Sequence, residues 1–486
     1  MQDICQNLFV VSVLLIGAFS FTDDKPRQGG RMEATMNNAI SKDFGFGGLL
    51  RFAFPTIIMM IFMSLYTIVD GFFVARFVGT DALSAVNLTY PLAGLTMAIG
   101  IMFATGGSAV VSRQLGEGKP QEAKQNFTLI VCTATAIGFI ITLLMLLFLE
   151  PLVILMGASG ALIPLCQDYL WILTVFAPAS VLQMLFQSFF VTAGKPVLGL
   201  ALTIAAGLTN MLLDYVFVAA FGWGVQGAAW ATVIGFCIPA VGGILFFLWN
   251  RKGLCFILPR LCWRILGESC FNGSSEMVTN ISTSVTTFLF NILMMRYLGS
   301  DGVAAITVIL YCQFLMTSLY LGFSMGVAPV IGFQYGSQNR AGLQRIFRIC
   351  MLFIVLSSVL IFFLALLCAK PIAALFAAKN SAVYPLITRG LWLFSIGFLF
   401  AGINIFVSAL FTALSNGKIS ALLSFSRTFV FILLGLWLLP LWLQVDGIWL
   451  AIPFAELVTV AVSFFCICRQ NRHYGLYERK TFFRQR

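Results

Sequence analysis

Twelve stretches of this chain are apolar for more than twenty residues each: about 53–77, 84–110, 127–149, 166–192, 197–220, 227–249, 275–298, 303–332, 349–376, 385–412, 420–443 and 447–468. Each is long enough to cross roughly 30 Å of hydrocarbon. Inside a bilayer every backbone N–H and C=O must find its partner within the protein, which leaves helices or a closed barrel. The ten-residue alternation of a membrane barrel is missing, so the runs predict twelve transmembrane helices and an all-α membrane protein. Composition agrees: 60% of the 486 residues are apolar and only 10% charged, against about 25% charged in soluble domains. A soluble enzyme and a disordered chain are both excluded.

The formal charge is +11, and its distribution says what it means. Of the 29 Lys and Arg residues, 23 fall in the N-terminal segment, in alternate loops and in the tail, five lie on the other side, and Arg427 is inside a span. Basic residues stay on the cytoplasmic side. The excess therefore predicts cytoplasmic termini and a multi-pass protein of the cell (inner) membrane, with lipid as its partner and no nucleic acid. The twelve cysteines are scattered, no span contains a histidine, and the lone His473 sits in the basic tail. No zinc, disulfide or nucleophile–base pattern emerges, so no enzyme and no cofactor is expected.

Four regions repeat at an offset of 220 residues. Arg76-Phe77-Val78-Gly79-Thr80-Asp81 matches Arg296-Tyr297-Leu298-Gly299-Ser300-Asp301, and Gln114-Leu115-Gly116 matches Gln334-Tyr335-Gly336. Thr192-Ala193 matches Thr412-Ala413, and Val225-Gln226-Gly227 matches Val445-Asp446-Gly447. Each repeat holds an even number of spans, so both enter the membrane in the same orientation and should be related by a pseudo-twofold axis along its normal. The expected organisation is an N-terminal extension over 1–46, an N-lobe over 47–250, a cytoplasmic linker over 251–270, a C-lobe over 271–468 and a basic tail over 469–486, in a monomer. Residues 7–21 are apolar but too short for a full span; they read as part of the extension, with a thirteenth helix or an uncleaved targeting segment as alternatives. Two bundles around one cavity suit alternating access.

Ionisable groups within spans are costly and need a reason. Asp70, Asn210, Asp214 and Thr232 lie about 8–15 Å from the outer ends of three helices at 1.5 Å per residue. Asn210 and Asp214 are one turn apart on one face. Oxygen donors with two carboxylates suit a hard cation such as Na⁺, or a shared proton; interhelical hydrogen bonds are the plainer alternative. At the repeat-related positions stand Phe290, Leu433, Trp437 and Ile452, so the four polar groups vanish together, as one shared site would. The second half has its own set, Glu276, Asn291, Asn404, Arg427 and Glu456. It reads as an ion pair of Arg427 with Glu456 or Glu276, or as a second proton- or substrate-responsive site. Glu276 is expected at the cytoplasmic start of its helix. Gln183 and Gln187, also one turn apart, line a substrate cavity or bridge helices.

Pro55, the Val69-Asp70-Gly71 run, the Gly116 and Gly336 loops with their basic residues, Asn210-Met-Leu-Leu-Asp214 and Gly227-Ala-Ala-Trp-Ala-Thr232 together resemble the multidrug and toxic compound extrusion (MATE) family, nearest its bacterial MepA-like branch, over about residues 45–470. The resemblance implies Na⁺- or H⁺-coupled antiport of amphipathic, often cationic or aromatic, small molecules. It implies cation binding at Asp70, Asn210, Asp214 and Thr232, and a first-helix bend supported by Pro55. A flippase for a lipid-linked saccharide is the rival; its pyrophosphate would call for several cavity arginines, whereas Arg427 alone lies well inside a span.

Overall fold

The computed structural model describes residues 39–477 apart from 79, 161 and 252, and leaves the side chains of 71–76 and 80–83 undescribed. Residues 1–38 of the expected extension, including its apolar run at 7–21, and the end of the tail lie outside the described residues. The first half comprises α1 (Phe46–Phe77), α2 (Thr80–Gly116), α3 (Pro120–Leu147), the short α4 (Leu149–Leu155), α5 (Leu162–Val175), α6 (Ala177–Thr192), α7 (Pro196–Asp214) and α8 (Gly224–Trp249). The second comprises α9 (Trp263–Gly336), α10 (Arg340–Phe376), α11 (Val383–Ser395), α12 (Phe398–Ala413), α13 (Gly417–Phe425), α14 (Phe431–Leu443) and α15 (Val445–Tyr474).

Local chemistry sets the ends. Pro120 and Pro196 open α3 and α7, where a missing N–H costs nothing. Asn339 and Asn416 accept from the amides of Gly342 (2.9 Å) and Ile419 (3.4 Å) as N-caps of α10 and α13. Gly475 closes α15 in the left-handed conformation at φ 65°.

Three features turn fifteen helices into twelve spans. The α5–α6 and α11–α12 pairs bend by 54° and 52° at their breaks, and each pair makes one crossing. The 74 residues of α9 would run about 110 Å if straight, and they hold two spans. Gly299 takes φ 66° and ψ −149° there, a region that side chains forbid, and folds the second span back on the first. Segments α13 and α14, joined through a π-helical stretch at Ser426–Val430, make another single crossing. The chain is thus an all-α membrane protein of twelve transmembrane helices in two related halves.

Helix α9 opens at Trp263, inside the stretch expected to be linker, and α15 runs on to Tyr474, into the expected tail. Apolarity marks where lipid begins, whereas backbone hydrogen bonding carries a helix on into the interface.

The seam between the halves is symmetric in its contacts. A Cβ on Gly106 would collide with the Ser269 carbonyl, and one on Gly273 with the Met102 carbonyl. Shifted by the repeat, the same contact recurs where Gly326 and Gly322 meet Ala53, Thr56 and Ile57 of α1. Gly116 abuts Phe333 and Ser337 while Gly336 abuts Arg113, a self-reciprocal contact of the kind a twofold axis imposes. All of these lie toward the face that carries the Arg113–Lys119 loop, here the basic face. Nearer the other face, Tyr90 of α2 and Tyr311 of α9 are 60% and 41% exposed. The halves are in backbone contact at the basic face.

Candidate functional site

Three helices of the first half converge because small residues let them. Gly207 on α7 faces Phe62 and Tyr66 of α1, where an added Cβ would lie 2.5 Å from the Phe62 ring. Gly235 on α8 sits against Ala206 and Asn210 of α7, with 3.4 Å left for a Cβ. The close approach brings Asp70 of α1 to Asp214 of α7; Asn210 lies one turn from Asp214 on the same helix face, and Thr232 lies three residues before Gly235 on α8. Asn210 and Asp214 are buried, and the Asp70 and Asp214 carboxyl groups are near enough to interact directly.

The hydrogen-bond inventory there is one-sided. Asp70 Oδ1, Asn210 Oδ1 and both carboxylate oxygens of Asp214 are buried without a hydrogen-bond partner among the described residues. Thr232 donates its hydroxyl to the Ala228 carbonyl at 3.0 Å, so its oxygen lone pairs stay free to accept. Buried acceptors lacking donors are expensive. A set made wholly of oxygen acceptors is chemically suited to a hard cation, or to a proton held between the two carboxyls. Interhelical hydrogen bonding is the plainer alternative: a proton shared by Asp70 and Asp214 would itself join α1 to α7. No group of three or more His, Cys, Asp or Glu suited to a transition metal occurs among the described residues.

Sequence reasoning missed three parts of this environment. Tyr169 of α5, buried, lies within electrostatic reach of both carboxyls. Tyr66 of α1 stands near Asp70 and meets Gln183. Nothing in the run of apolar residues around either tyrosine sets it apart. Directly after Asp214 the helix widens into a π-helical turn over Tyr215–Ala220, a distortion common at functional sites. Local composition gives no warning of it.

Gln183 and Gln187 are buried within the first half, where Gln187 Nε2 donates to Met63 Sδ at 3.3 Å and Gln183 Oε1 has no partner among the described residues. Through Met63 and Tyr66 they bridge α6 to α1. Pro55 lies inside α1, which continues through it without a break from Phe46 to Phe77.

In the second half Arg427 Nη1 donates to Glu456 Oε1 at 3.1 Å. Asn404 Nδ2 donates to Glu456 Oε2 at 2.7 Å and to the Glu456 carbonyl at 2.8 Å, and Ser463 donates to Asn404 Oδ1 at 3.0 Å. Arg427 lies in the π-helical turn between α13 and α14. Glu276 feels the Arg427 charge. Its expected place at the start of its helix needs correction: α9 begins at Trp263, which leaves Glu276 about 20 Å inside the helix at 1.5 Å per residue. Asn291, about 22 Å farther along the same helix by that rise, is not joined to this group.

The chain is 23% identical over 409 residues to the multidrug export protein MepA of Staphylococcus saprophyticus, covering 83% of this chain and 88% of that one. A solved structure described as the outward-facing conformation of a multidrug resistance MATE family transporter superposes with a TM-score of 0.84 at 22% identity, over 91% of this chain and 98% of that one. The structure of a MATE P26A mutant gives 0.85 at 21% identity, over 92% and 100%. The MatE family profile matches twice, over residues 55–216 and 277–437, once in each half and at nearly the offset of the internal repeat. Twelve spans, two related halves and two profile matches that together cover about two thirds of its length lead to one conclusion: the chain belongs to the MatE family.

Proposed function

We propose that this protein is a cation-coupled antiporter that exports amphipathic, often cationic or aromatic, small molecules from the cell by alternating access between its halves. The carrying observation is the cluster of buried oxygen acceptors at Asp70, Asn210 and Asp214, which stands without donors among the described residues in the half that also holds Thr232. The names of its relatives support multidrug export as the transported class. The bias of Lys and Arg toward the basic face supports cytoplasmic termini and residence in the cell membrane, so that the shut face looks inward.

Coupling follows from the charge of the site. Na⁺ among Asp70, Asn210, Asp214 and Thr232, or a proton between the two carboxyls, changes the net charge of the first half. Helix α1 carries Asp70 and responds near Pro55, where the missing N–H already weakens the helix. Substrate and cation then favour different arrangements of one lobe, and each lowers the other's occupancy. The test is substrate accumulation in inside-out vesicles under pH and Na⁺ gradients imposed separately. Asp70→Asn and Asp214→Asn should each abolish gradient-driven transport while the protein still inserts. Wild-type rates in both would move the cation site elsewhere, with Glu276 and Glu456 as successors. The flippase reading loses support because Arg427 is already engaged by Glu456.

A further inference from the structure

At the basic face the seam carries an ion pair that the pseudo-twofold does not repeat. Arg113 of α2 donates Nη1 to Glu268 Oε1 of α9 at 2.5 Å. The Arg389–Asp446, Arg427–Glu456, Arg113–Glu117 and Lys119–Glu117 pairs each stay within one half; Arg113–Glu268 crosses from one half to the other. Positions related to Arg113, Glu117, Lys119 and Glu268 by the repeat are Phe333, Ser337, Asn339 and Gly48, which cannot form such a pair. The glycine contacts of the seam are symmetric; the charge contact is not.

We propose that Arg113–Glu268 is a latch that holds the basic face shut and so sets the balance between the two access states. This rests on the transporter reading above. Three observations carry it. The pair lies beside Gly116 and Gly336, where backbone meets backbone, so separation of the halves must break it. Its side chains are 19% and 27% exposed at the rim of a polar cavity of about 820 Å³ that also holds Lys119, Arg264 and Gln338; water can therefore reach the ions once they part. Glu117 Oε1 stands 3.4 Å from Arg113 Nε on the same helix. When Glu268 leaves, Arg113 keeps a carboxylate partner, and opening stays reversible instead of stranding a charge. A partly exposed pair of this kind shifts an equilibrium modestly, by about three- to tenfold.

Hydrogen–deuterium exchange on the full chain in lipid nanodiscs tests this without substrate or gradient, so the latch can fail while the transport reading stands, and the reverse. Arg113→Glu and Glu268→Arg should each speed exchange about three- to tenfold in peptides covering 107–119 and 264–275. Both should slow it in peptides covering 84–92 and 297–303, because closing the outer face accompanies opening the basic one. The swapped double variant should return to within about twofold of wild type. Glu268→Gln, milder and checked for helicity and monodispersity, should fall between. Unchanged exchange in the single variants, no recovery in the swap, or acceleration at the basic face without slowing at the other face would each overturn the latch.

Discussion

Replacing Arg427 by Leu is the sharpest probe of the second half. The Arg427–Glu456 contact is 3.1 Å, between side chains only 13% and 5% exposed. At an effective dielectric of about 20 that separation corresponds to about 5 kcal/mol of attraction before desolvation. Desolvation cancels much of it in the intact pair, so the pair itself adds little net stability. Removing one partner is different, because the desolvation of the other is left uncompensated, and the typical loss is about 3–5 kcal/mol. Asn404 still donates to Glu456 in the variant, which places the expected loss near the lower end, about 3 kcal/mol. Adding Glu456→Gln removes the stranded charge and keeps an acceptor for Asn404, and should recover about 2 kcal/mol of it. Reversible unfolding in mixed micelles across wild type, both single variants and the double variant gives the coupling directly. If the double variant loses the sum of the two single losses, the groups act independently and the ion pair is not what holds this part of the half together.

Other outcomes can be stated more briefly. Gly207→Leu should force α7 off Phe62 and Tyr66, cost about 1–3 kcal/mol by overpacking and cut export at least tenfold; transport at the wild-type rate would show that the spacing of α1 and α7 is immaterial to the cation site. Gly106→Val, whose side chain has no room against Ser269 and Gly273, should keep the basic face from shutting and speed amide exchange over 264–275; an unchanged exchange pattern would mean the seam tolerates bulk. Cysteine placed at Lys119 should react with an impermeant thiol reagent only from the cytoplasmic side of the membrane, and labelling of intact cells from outside would reverse the topology and the direction of transport.

Much of the fold was legible because lipid imposes a one-dimensional code. A span must be apolar over about twenty residues and its flanks biased in charge, and both properties are local. The four first-half residues proposed as the cation site stood out for a related reason: a polar group in hydrocarbon contrasts with its neighbours, and the repeat exposed their joint absence from the second half. The same logic picked out Arg427 and offered Glu456 or Glu276 as its partner. Tyr66 and Tyr169 were not legible, since tyrosine is unremarkable in a membrane helix and its nearness to a carboxyl depends on how α1, α5 and α7 pack.

The amino-acid sequence by itself determined the number of spans, the pairing of the two halves and the identity of the buried charges, because each is written in residues close along the chain or at one fixed offset. Tertiary structure alone decided which charges meet and where the halves touch. Glu276 fell well inside α9 because hydrogen bonding carried the helix back to Trp263, past the point where apolarity ends. Arg113 met Glu268, 155 residues away, because glycines on both sides of the seam removed the side chains that would have kept the backbones apart. Contacts of that kind depend on the packing of whole helices, and no local pattern encodes them.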